Sequence, residues 1–200
     1  MTWLRKNGFC AKMTFTELFK IILISDKYRS RKAAREIRKL VYGSRAGGEY
    51  KSIIENAPAE YIKITEDWRQ ENFVVAISVM YFLHNRENQP DFLFHWLFQL
   101  LQHENGNIRH SAVRMIKHEL GPLTYYIRFP GKTSSLRELL PERADHILFG
   151  LRTNLNNLAV GSWKSSYKKF KYIDDLPSGT YKSVQLVLSI LDDYSSDIYP

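Results

Sequence analysis

An apolar pattern recurs along this chain at a fixed spacing and limits the folds that the chain can adopt. When the segment ENFVVAISVMYF is moved by 36 positions it aligns with NIRHSAVRMIKH, and Ala76 meets Ala112. A weaker match, 43 positions in the other direction, brings Ala76 onto Ala33. Self-similarity at periods of roughly 20–50 residues is the signature of stacked repeats, in which each unit covers the apolar face of the next.

Helical periodicity surrounds each copy of this pattern. Thr14 and Glu17 form a capping-box pair, and Ser135 and Glu138 form a second one. In SRKAAREIRKLVYG the apolar residues fall on one stripe of a helix. We predict about eight helices, at approximately 14–25, 29–42 ended by Gly43, 47–57 before Pro58, 65–84, 90–101 opened by Pro90, 107–120 before Gly121 and Pro122, 135–158 bent or split at Pro141, and 180–192.

Two segments leave the secondary structure open. The β-branched stretch FVVAISV is compatible with a buried strand, although its polar lead-in and its length favour a helix. The stretch LTYYIRFPGKTSS leads aromatic and β-branched residues into a Pro130-Gly131 turn, so a strand or an irregular connection is an alternative there. We predict a loop with a short helix for this second stretch.

Residues 90–121 carry the features of one known repeat type. An apolar first helix is followed by a polar turn, and the second helix opens with Ile108, Arg109 and Ala112. This segment resembles a HEAT repeat, and the chain as a whole resembles the HEAT and armadillo group. The resemblance implies an all-α fold: an α-α superhelix, or short right-handed solenoid, built from helix hairpins.

The same resemblance implies structural roles for individual residues. Ala76 and Ala112 match the small position that lets paired helices approach closely. In the family, an arginine of the second helix and an aspartate of the turn form a ladder between neighbouring units. Arg109 matches the arginine, whereas Asn105 or Asn107 stands where the aspartate is usual.

We expect one domain over residues 1–200, with a basic first hairpin at 14–43, central hairpins at 47–121 and C-terminal helices at 135–193. An irregular helical bundle is the alternative, because the same apolar periodicities would serve it. A bundle would lack a regular concave surface, whereas a solenoid exposes a curved face of the kind that binds macromolecules.

Composition indicates the compartment. Cys10 is the single cysteine and cannot form an internal disulfide, so we expect a reducing, cytoplasmic location. The apolar run from Phe15 to Ile24 is interrupted by charges and has no cleavage pattern typical of a signal peptide. The most apolar stretch, Phe92 to Leu101, is too short to cross a bilayer, so we expect no membrane insertion.

The net charge of +8 is concentrated near the N-terminus. Residues 1–57 hold 13 lysines and arginines against 5 acidic residues, while residues 58–200 hold 16 of each. The helix predicted at 29–42 could neutralise several phosphates, although a solvated surface helix is the alternative. The candidate binding residues for an anionic partner are Lys27, Arg29, Arg31, Lys32, Arg35, Arg38 and Lys39.

A second basic patch follows Gly161. It is formed by Lys164, Lys168, Lys169 and Lys171, which are interleaved with Trp163, Tyr167, Phe170 and Tyr172. This pattern suits single-stranded nucleic acid, whose bases stack on aromatic rings. Alternatively, the aromatic residues anchor a loop to the core.

Motifs for metal or cofactor chemistry are missing from the sequence. Four histidines, His95, His103, His110 and His118, follow one another at intervals of seven or eight residues, wider than the i, i+4 spacing of paired ligands on one helix. No HExxH, paired cysteine, phosphate-loop or nucleophile-elbow motif occurs. We therefore expect no metal and no cofactor.

Two functional hypotheses follow. The first is a non-enzymatic helical-repeat binding module, an adaptor or scaffold for a protein or a nucleic acid. The second is a DNA-binding repair protein, because HEAT-like alkylpurine-DNA glycosylases resemble this layout and bind duplex DNA on a basic concave face. Trp68 and Trp96 would then stack on bases and Asp67 would act electrostatically, although the catalytic segment of that family is not recognisable here.

Overall fold

The computed structural model describes residues 13–42, 49–81, 93–128 and 141–195. Over these ranges the chain forms nine α-helices and two short 3-10 helices, and it has no strand. The all-α prediction is therefore confirmed. The α-helices are α1 (Phe15–Ile24), α2 (Lys27–Tyr42), α3 (Glu49–Glu55), α4 (Ala57–Ile62), α5 (Asp67–Met80), α6 (Phe94–Leu101), α7 (Gly106–Arg128), α8 (Pro141–Ser162) and α9 (Thr180–Ser195).

The first hairpin begins with the predicted capping box. The Thr14 hydroxyl accepts a hydrogen bond from the Glu17 amide at 3.2 Å, and the Glu17 carboxylate accepts one from the Thr14 amide at 2.8 Å. These bonds satisfy amides at the start of α1 that have no partner within the helix. The Ser30 hydroxyl then donates to the Ile22 carbonyl at 2.8 Å and joins α2 to α1. The predicted end of α2 at Gly43 lies outside the described residues.

The segment around Pro58 contains one more helix than we predicted. Instead of closing a single helix, Pro58 occupies the first turn of α4, which begins directly after α3. Proline fits there because the first amides of a helix have no helical acceptor to lose. The break falls at Asn56, whose side chain donates to the Ser52 carbonyl at 2.8 Å.

The segment FVVAISV belongs to helix α5, so the strand alternative is wrong. In this helix Phe73, Val74, Ala76, Ile77 and Met80 are all buried, which gives the β-branched residues packing partners on nearly every side. Helix α6 is found where it was expected, while Pro90 lies outside the described residues.

Helix α7 contradicts our prediction of a stop at Gly121 and Pro122. The helix runs through both residues and continues to Arg128, so Leu123 begins further helical turns rather than a loop or a strand. Compared with alanine at both positions, a glycine and a proline in a helix interior lower the helix stability by about 4 kcal/mol together. Leu120 and Leu123 are fully buried, and the free energy gained by removing their side chains from water offsets a cost of this size.

The C-terminal part contains two long helices joined by an irregular connection. Helix α8 begins at Pro141, which fits a split at this proline, and the Ser135–Glu138 capping box lies outside the described residues. The 3-10 helices Ser165–Lys169 and Ile173–Asp175 lead into α9, which matches the last predicted helix.

The second helix of each predicted hairpin contacts the second helix of the following hairpin. Helix α2 packs on α5, α5 on α7, and α7 on α9. Each of these four helices also packs on the helix before it: α2 on α1, α5 on α4, α7 on α6, and α9 on α8. Helices α2, α5, α7 and α9 therefore contact one another in succession, and we call them the α2–α5–α7–α9 row.

The aligned apolar positions of the sequence pattern are buried in this row. They are Ala33, Ala34 and Ile37 in α2, Ala76, Ile77 and Met80 in α5, and Ala112, Val113 and Ile116 in α7. Equivalent residues thus face the core in three successive second helices.

Replacing Ala112 with leucine tests whether its size sets the helix spacing. Ala112 is completely buried, so we expect the Ala112→Leu variant to lose about 1–3 kcal/mol of unfolding free energy by overpacking. Urea denaturation followed by circular dichroism measures this loss. The control is Ala59→Leu on the exposed surface of α4, which should change the stability little. Equal stabilities for the two variants would contradict close packing at Ala112.

Candidate functional site

The candidate site is the exposed face of α2. Because Ala33, Ala34 and Ile37 turn one side of the helix to the core, the basic residues between them point to solvent. The Asp26 carboxylate accepts a hydrogen bond from the Arg29 amide at 2.9 Å near the start of the helix. The α2 basic face consists of the exposed residues Lys27, Arg29, Arg31, Lys32, Arg35, Arg38 and Lys39.

A surface groove of about 550 Å³ runs along this face. Its lining is Lys27, Tyr28, Arg31, Lys32, Arg35, Glu36 and Lys39. The Tyr28 ring is 77% exposed, so it has no packing role and stands among the cations with an accessible hydroxyl. The groove therefore offers charge-assisted donors to an anionic ligand.

Some of these cations have counter-ions within the chain. Lys39 lies 2.7 Å from Glu36, and Arg29 lies 3.6 Å from Asp26. Both pairs are exposed, and such pairs contribute about 0–1 kcal/mol to the stability of the fold. An anionic partner could therefore replace the Glu36 or Asp26 carboxylate at little cost. Lys32 and Arg35 have no ion-pair partner among the described residues. The middle of α2 therefore carries positive charge that the fold does not neutralise.

The base of α2 is fixed by a buried carboxylate that our sequence reasoning did not single out. Glu71 of α5 is 8% exposed, and its carboxylate lies 2.7 Å from the Lys27 ammonium and 3.8 Å from the Arg31 guanidinium. The side-chain amides of Asn105 and Asn107 each donate to it at 2.8 Å. These five residues, the Glu71 hub, hold α2, α5 and the start of α7 together.

The protonation of Glu71 is governed by two opposing effects. Burial raises the pKa of the Glu71 carboxyl. The hydrogen bonds from Lys27, Asn105 and Asn107, together with the charge of Lys27, lower this pKa by a larger amount in total. The net pKa is below the ordinary value of 4.5. The ionised form is therefore the one that the fold stabilises.

Arg109 performs a structural task at the turn before α7. Its guanidinium donates to the carbonyls of His103 and Glu104 at 2.7 and 2.6 Å, and to the Ser178 hydroxyl at 2.7 Å. The side-chain amides of Asn105 and Asn107 donate to Glu71 and not to the Arg109 side chain. The turn is thus tied to α5 through its asparagines and to the segment before α9 through Arg109.

One sequence signal could have revealed the Glu71 hub. The shift of 36 positions aligns Glu71 with Asn107, so polar residues occupy the same site at the start of both segments. Glu71 lies in the second turn of α5, on the side that faces α2 and α7.

The second basic patch is separate from the α2 basic face. It lies in the connection between α8 and α9, whereas α2 packs on α1 and α5. The Tyr167 and Tyr181 rings stack with centroids 5.0 Å apart, and Trp163 contacts both rings at 5.9 Å. Trp163 and Tyr167 thus anchor the connection to α9, while the exposed Lys164, Lys168, Lys169 and Lys171 remain at the surface.

The glycosylase hypothesis assigns base stacking to Trp96 and Trp68, and the surroundings of these two residues differ from each other. Trp96 is 3% exposed and meets the Tyr61 ring edge-on at 6.0 Å, so its indole has no face available to a base. Trp68 is exposed beside the Arg69 guanidinium, at 5.0 Å from its ring. This arrangement does not favour the glycosylase hypothesis.

The described residues contain no cluster of three or more histidine, cysteine or acidic side chains suited to a metal ion. His103 has a local role, because its ring nitrogen accepts a hydrogen bond from the Asn105 amide at 2.9 Å. Among the helices of the described ranges, none has both the length and the apolar character needed to span a bilayer.

Comparisons of this chain with protein-family profiles, with curated proteins and with solved structures return no match.

The Glu71 hub predicts a pH dependence of stability. The folded pKa of Glu71 is lowered, so its contribution is fully present above the unfolded value of 4.5 and is lost as the pH falls through the folded pKa. We expect Glu71→Gln to lower the unfolding free energy at pH 7 by about 2 kcal/mol, the scale of a charge-assisted hydrogen bond.

Urea titrations between pH 7 and pH 3 measure this dependence, and the wild-type protein should lose more stability over that range than Glu71→Gln. Glu104→Gln removes the same charge from an exposed carboxylate in the neighbouring turn and serves as the control. Parallel pH profiles for wild type and Glu71→Gln would contradict the role assigned to the hub.

Proposed function

We propose that this protein is a non-enzymatic helical-repeat binding module whose α2 basic face binds an anionic macromolecule. The observation that carries the proposal is that Lys32 and Arg35, exposed in the middle of α2, have no ion-pair partner among the described residues. Long-range attraction to a polyanion, followed by release of its counter-ions, gives such a row of cations its affinity.

A repeat architecture would suit a binding role. The contacts along the α2–α5–α7–α9 row and the buried alanines at aligned positions support an arrangement of stacked helix hairpins. We propose that these hairpins form a short right-handed solenoid of the HEAT and armadillo kind. In such a solenoid, equivalent positions of successive units create one extended surface for a partner.

The Glu71 hub supports the proposal in a second way. It holds Lys27 at 2.7 Å and Arg31 at 3.8 Å, and so anchors the first two turns of α2 to α5. Lys32 and Arg35 project from the following turns of α2, and the Glu71 hub restrains rotation of this helix about its axis. Preorganised cations lose less conformational freedom when a ligand binds, which favours affinity.

Neutralising Lys32 and Arg35 tests the proposed function. We expect the wild-type protein to bind a short fluorescent duplex DNA, a single strand or poly-glutamate, with a steep dependence on salt. In the Lys32→Gln/Arg35→Gln variant, the slope of log K against log salt for the preferred ligand should fall by about 2, or roughly one for each lost phosphate contact. Anisotropy titrations between about 50 and 200 mM salt give this slope.

The control for this experiment is Lys20→Gln/Lys63→Gln, which removes the same charge from exposed positions on α1 and at the end of α4. A similar loss in both double variants would mean that net charge, not the α2 basic face, drives binding. No binding to any of the three polyanions at low salt would refute the proposed function.

A further inference from the structure

Tyr28 is an aromatic residue of α2 that the fold leaves in solvent. Its side chain is 77% exposed, and no other phenylalanine, tryptophan or tyrosine of the described ranges is exposed to this extent. The Tyr28 side chain has no hydrogen bond and no ring contact with another described residue. An aromatic ring normally contributes to a fold by burying its large apolar surface. Tyr28 makes no such contribution, so its ring is available to a ligand.

Tyr28 begins a straight line of exposed residues along α2. Lys32, Arg35 and Lys39 follow it at positions i+4, i+7 and i+11, which lie on one face of a helix. With a rise of 1.5 Å per residue, this line is about 16 Å long. The ring therefore stands at one end of a single track of cations.

The groove of about 550 Å³ on the α2 basic face contains this track. Among the described residues, its lining belongs wholly to α2 and comprises Tyr28, five cations and one carboxylate, that of Glu36. The Glu36 carboxylate is already paired with Lys39 at 2.7 Å. The groove thus offers an anionic chain one line of positive charge and one aromatic ring.

The turn of α2 that carries Tyr28 is held in place on both sides of the ring. Lys27, the preceding residue, lies 2.7 Å from Glu71, and Arg31, three residues later, lies 3.8 Å from the same carboxylate. A tyrosine side chain has only two torsion angles to fix, so its contacts cost little conformational entropy. Both features favour stacking of a flat ligand group on the Tyr28 ring.

We propose that the ligand of the α2 basic face is a single-stranded nucleic acid, with one base stacked on the Tyr28 ring and neighbouring phosphates on Lys32, Arg35 and Lys39. This proposal rests on the proposed function and names its ligand. A single strand combines a row of negative charges with unpaired bases that stack on aromatic side chains.

Other polyanions would make no use of the Tyr28 ring. In a duplex the bases are paired and stacked on one another, so their faces are closed to a side chain unless a base is flipped out. An acidic polypeptide supplies carboxylates for the cations but no planar bases. The combination of ring and cations in one groove therefore favours the single strand.

Removing the ring while keeping every charge of the protein tests this proposal. Wild type, Tyr28→Ser and Tyr28→Phe are titrated by anisotropy against single-stranded DNA and RNA of one sequence, the matching DNA duplex, an abasic DNA strand of equal length and poly-glutamate. We expect Tyr28→Ser to bind the single strands about tenfold more weakly, the size of effect that the loss of one stacked base gives. Its salt slope should equal that of wild type, because no cation has been removed.

Two comparisons separate stacking from other effects of the Tyr28 side chain. Tyr28→Phe keeps the ring and should bind the single strands like wild type. The abasic strand has the same phosphates but no bases, so Tyr28→Ser and wild type should bind it equally. Phe149→Ser removes a ring that is 69% exposed on α8 and serves as the matched control. Thermal unfolding of every variant shows that the fold is retained.

Each outcome decides a defined point. A loss that is specific to Tyr28→Ser and to strands with bases supports the proposal, and the tighter of the two single strands shows whether DNA or RNA is preferred. Unchanged single-strand binding by Tyr28→Ser overturns it, as does an equal loss for the duplex, the abasic strand or Phe149→Ser, or preferred binding of poly-glutamate. If Tyr172→Ser weakens binding instead, the strand lies on the second basic patch.

The Lys32→Gln/Arg35→Gln variant, measured alongside, distinguishes this proposal from the proposed function. A lower salt slope in that variant, together with unchanged binding by Tyr28→Ser, leaves the α2 basic face as the binding surface and removes only the single-strand assignment. No binding of wild type to any of these ligands at low salt removes both.

Discussion

The arrangement of the helices depends on one buried carboxylate. Glu71 accepts hydrogen bonds from side chains of the α6–α7 turn while it pairs with Lys27, and it lies where the N-terminal ends of three helices meet. An ionised carboxylate is expensive to bury without partners. Its neighbours offset that cost, and the partial positive charges at helix N-termini act in the same direction. The carboxylate consequently fixes which helix ends meet.

This buried charge also determines which cations of α2 have a counter-ion. Lys27 and Arg31 are committed in part to Glu71, whereas Lys32 and Arg35 are not. The chain thus uses cations in the first two turns of its basic helix for its own stability and leaves Lys32 and Arg35 in the middle without an ion-pair partner among the described residues. On α7, Arg109 is turned inward to the His103 and Glu104 carbonyls, while Arg114, five residues later, is exposed. Both helices show the same division between structural and available cations.

Local patterns predicted much of the fold, because the information they carry is local. The stripe of Ala33, Ala34 and Ile37 located α2 and its basic face, and the Thr14–Glu17 pair located the start of α1. The errors arose where distant contacts override local preference. The extra helix α4 and the continuation of α7 both concern prolines, at 58 and 122, whose effect depends on position within the helix and on the neighbouring packing.

The candidate site was predictable only in part for the same reason. Counting charges found the α2 basic face, but it could not distinguish Lys27, which is paired, from Lys32, which is not. Glu71 is 34 residues from Asn105 and 36 from Asn107, so only the assembled fold shows that one carboxylate serves both. Likewise, Trp163 and Tyr167 of the second patch have an anchoring role that depends on Tyr181, a residue of the next helix.

The passage of α7 through Gly121 and Pro122 has a consequence for the order of folding. Helix α7 is about 35 Å long, and its last turns contain the two residues least suited to an isolated helix. The first turns can form early, supported by α6 and by the Arg109 contacts with the turn. Because α8 and α9 also pack on α7, we expect the last turns of α7 to form after these later helices dock and to be the first part of that helix to open.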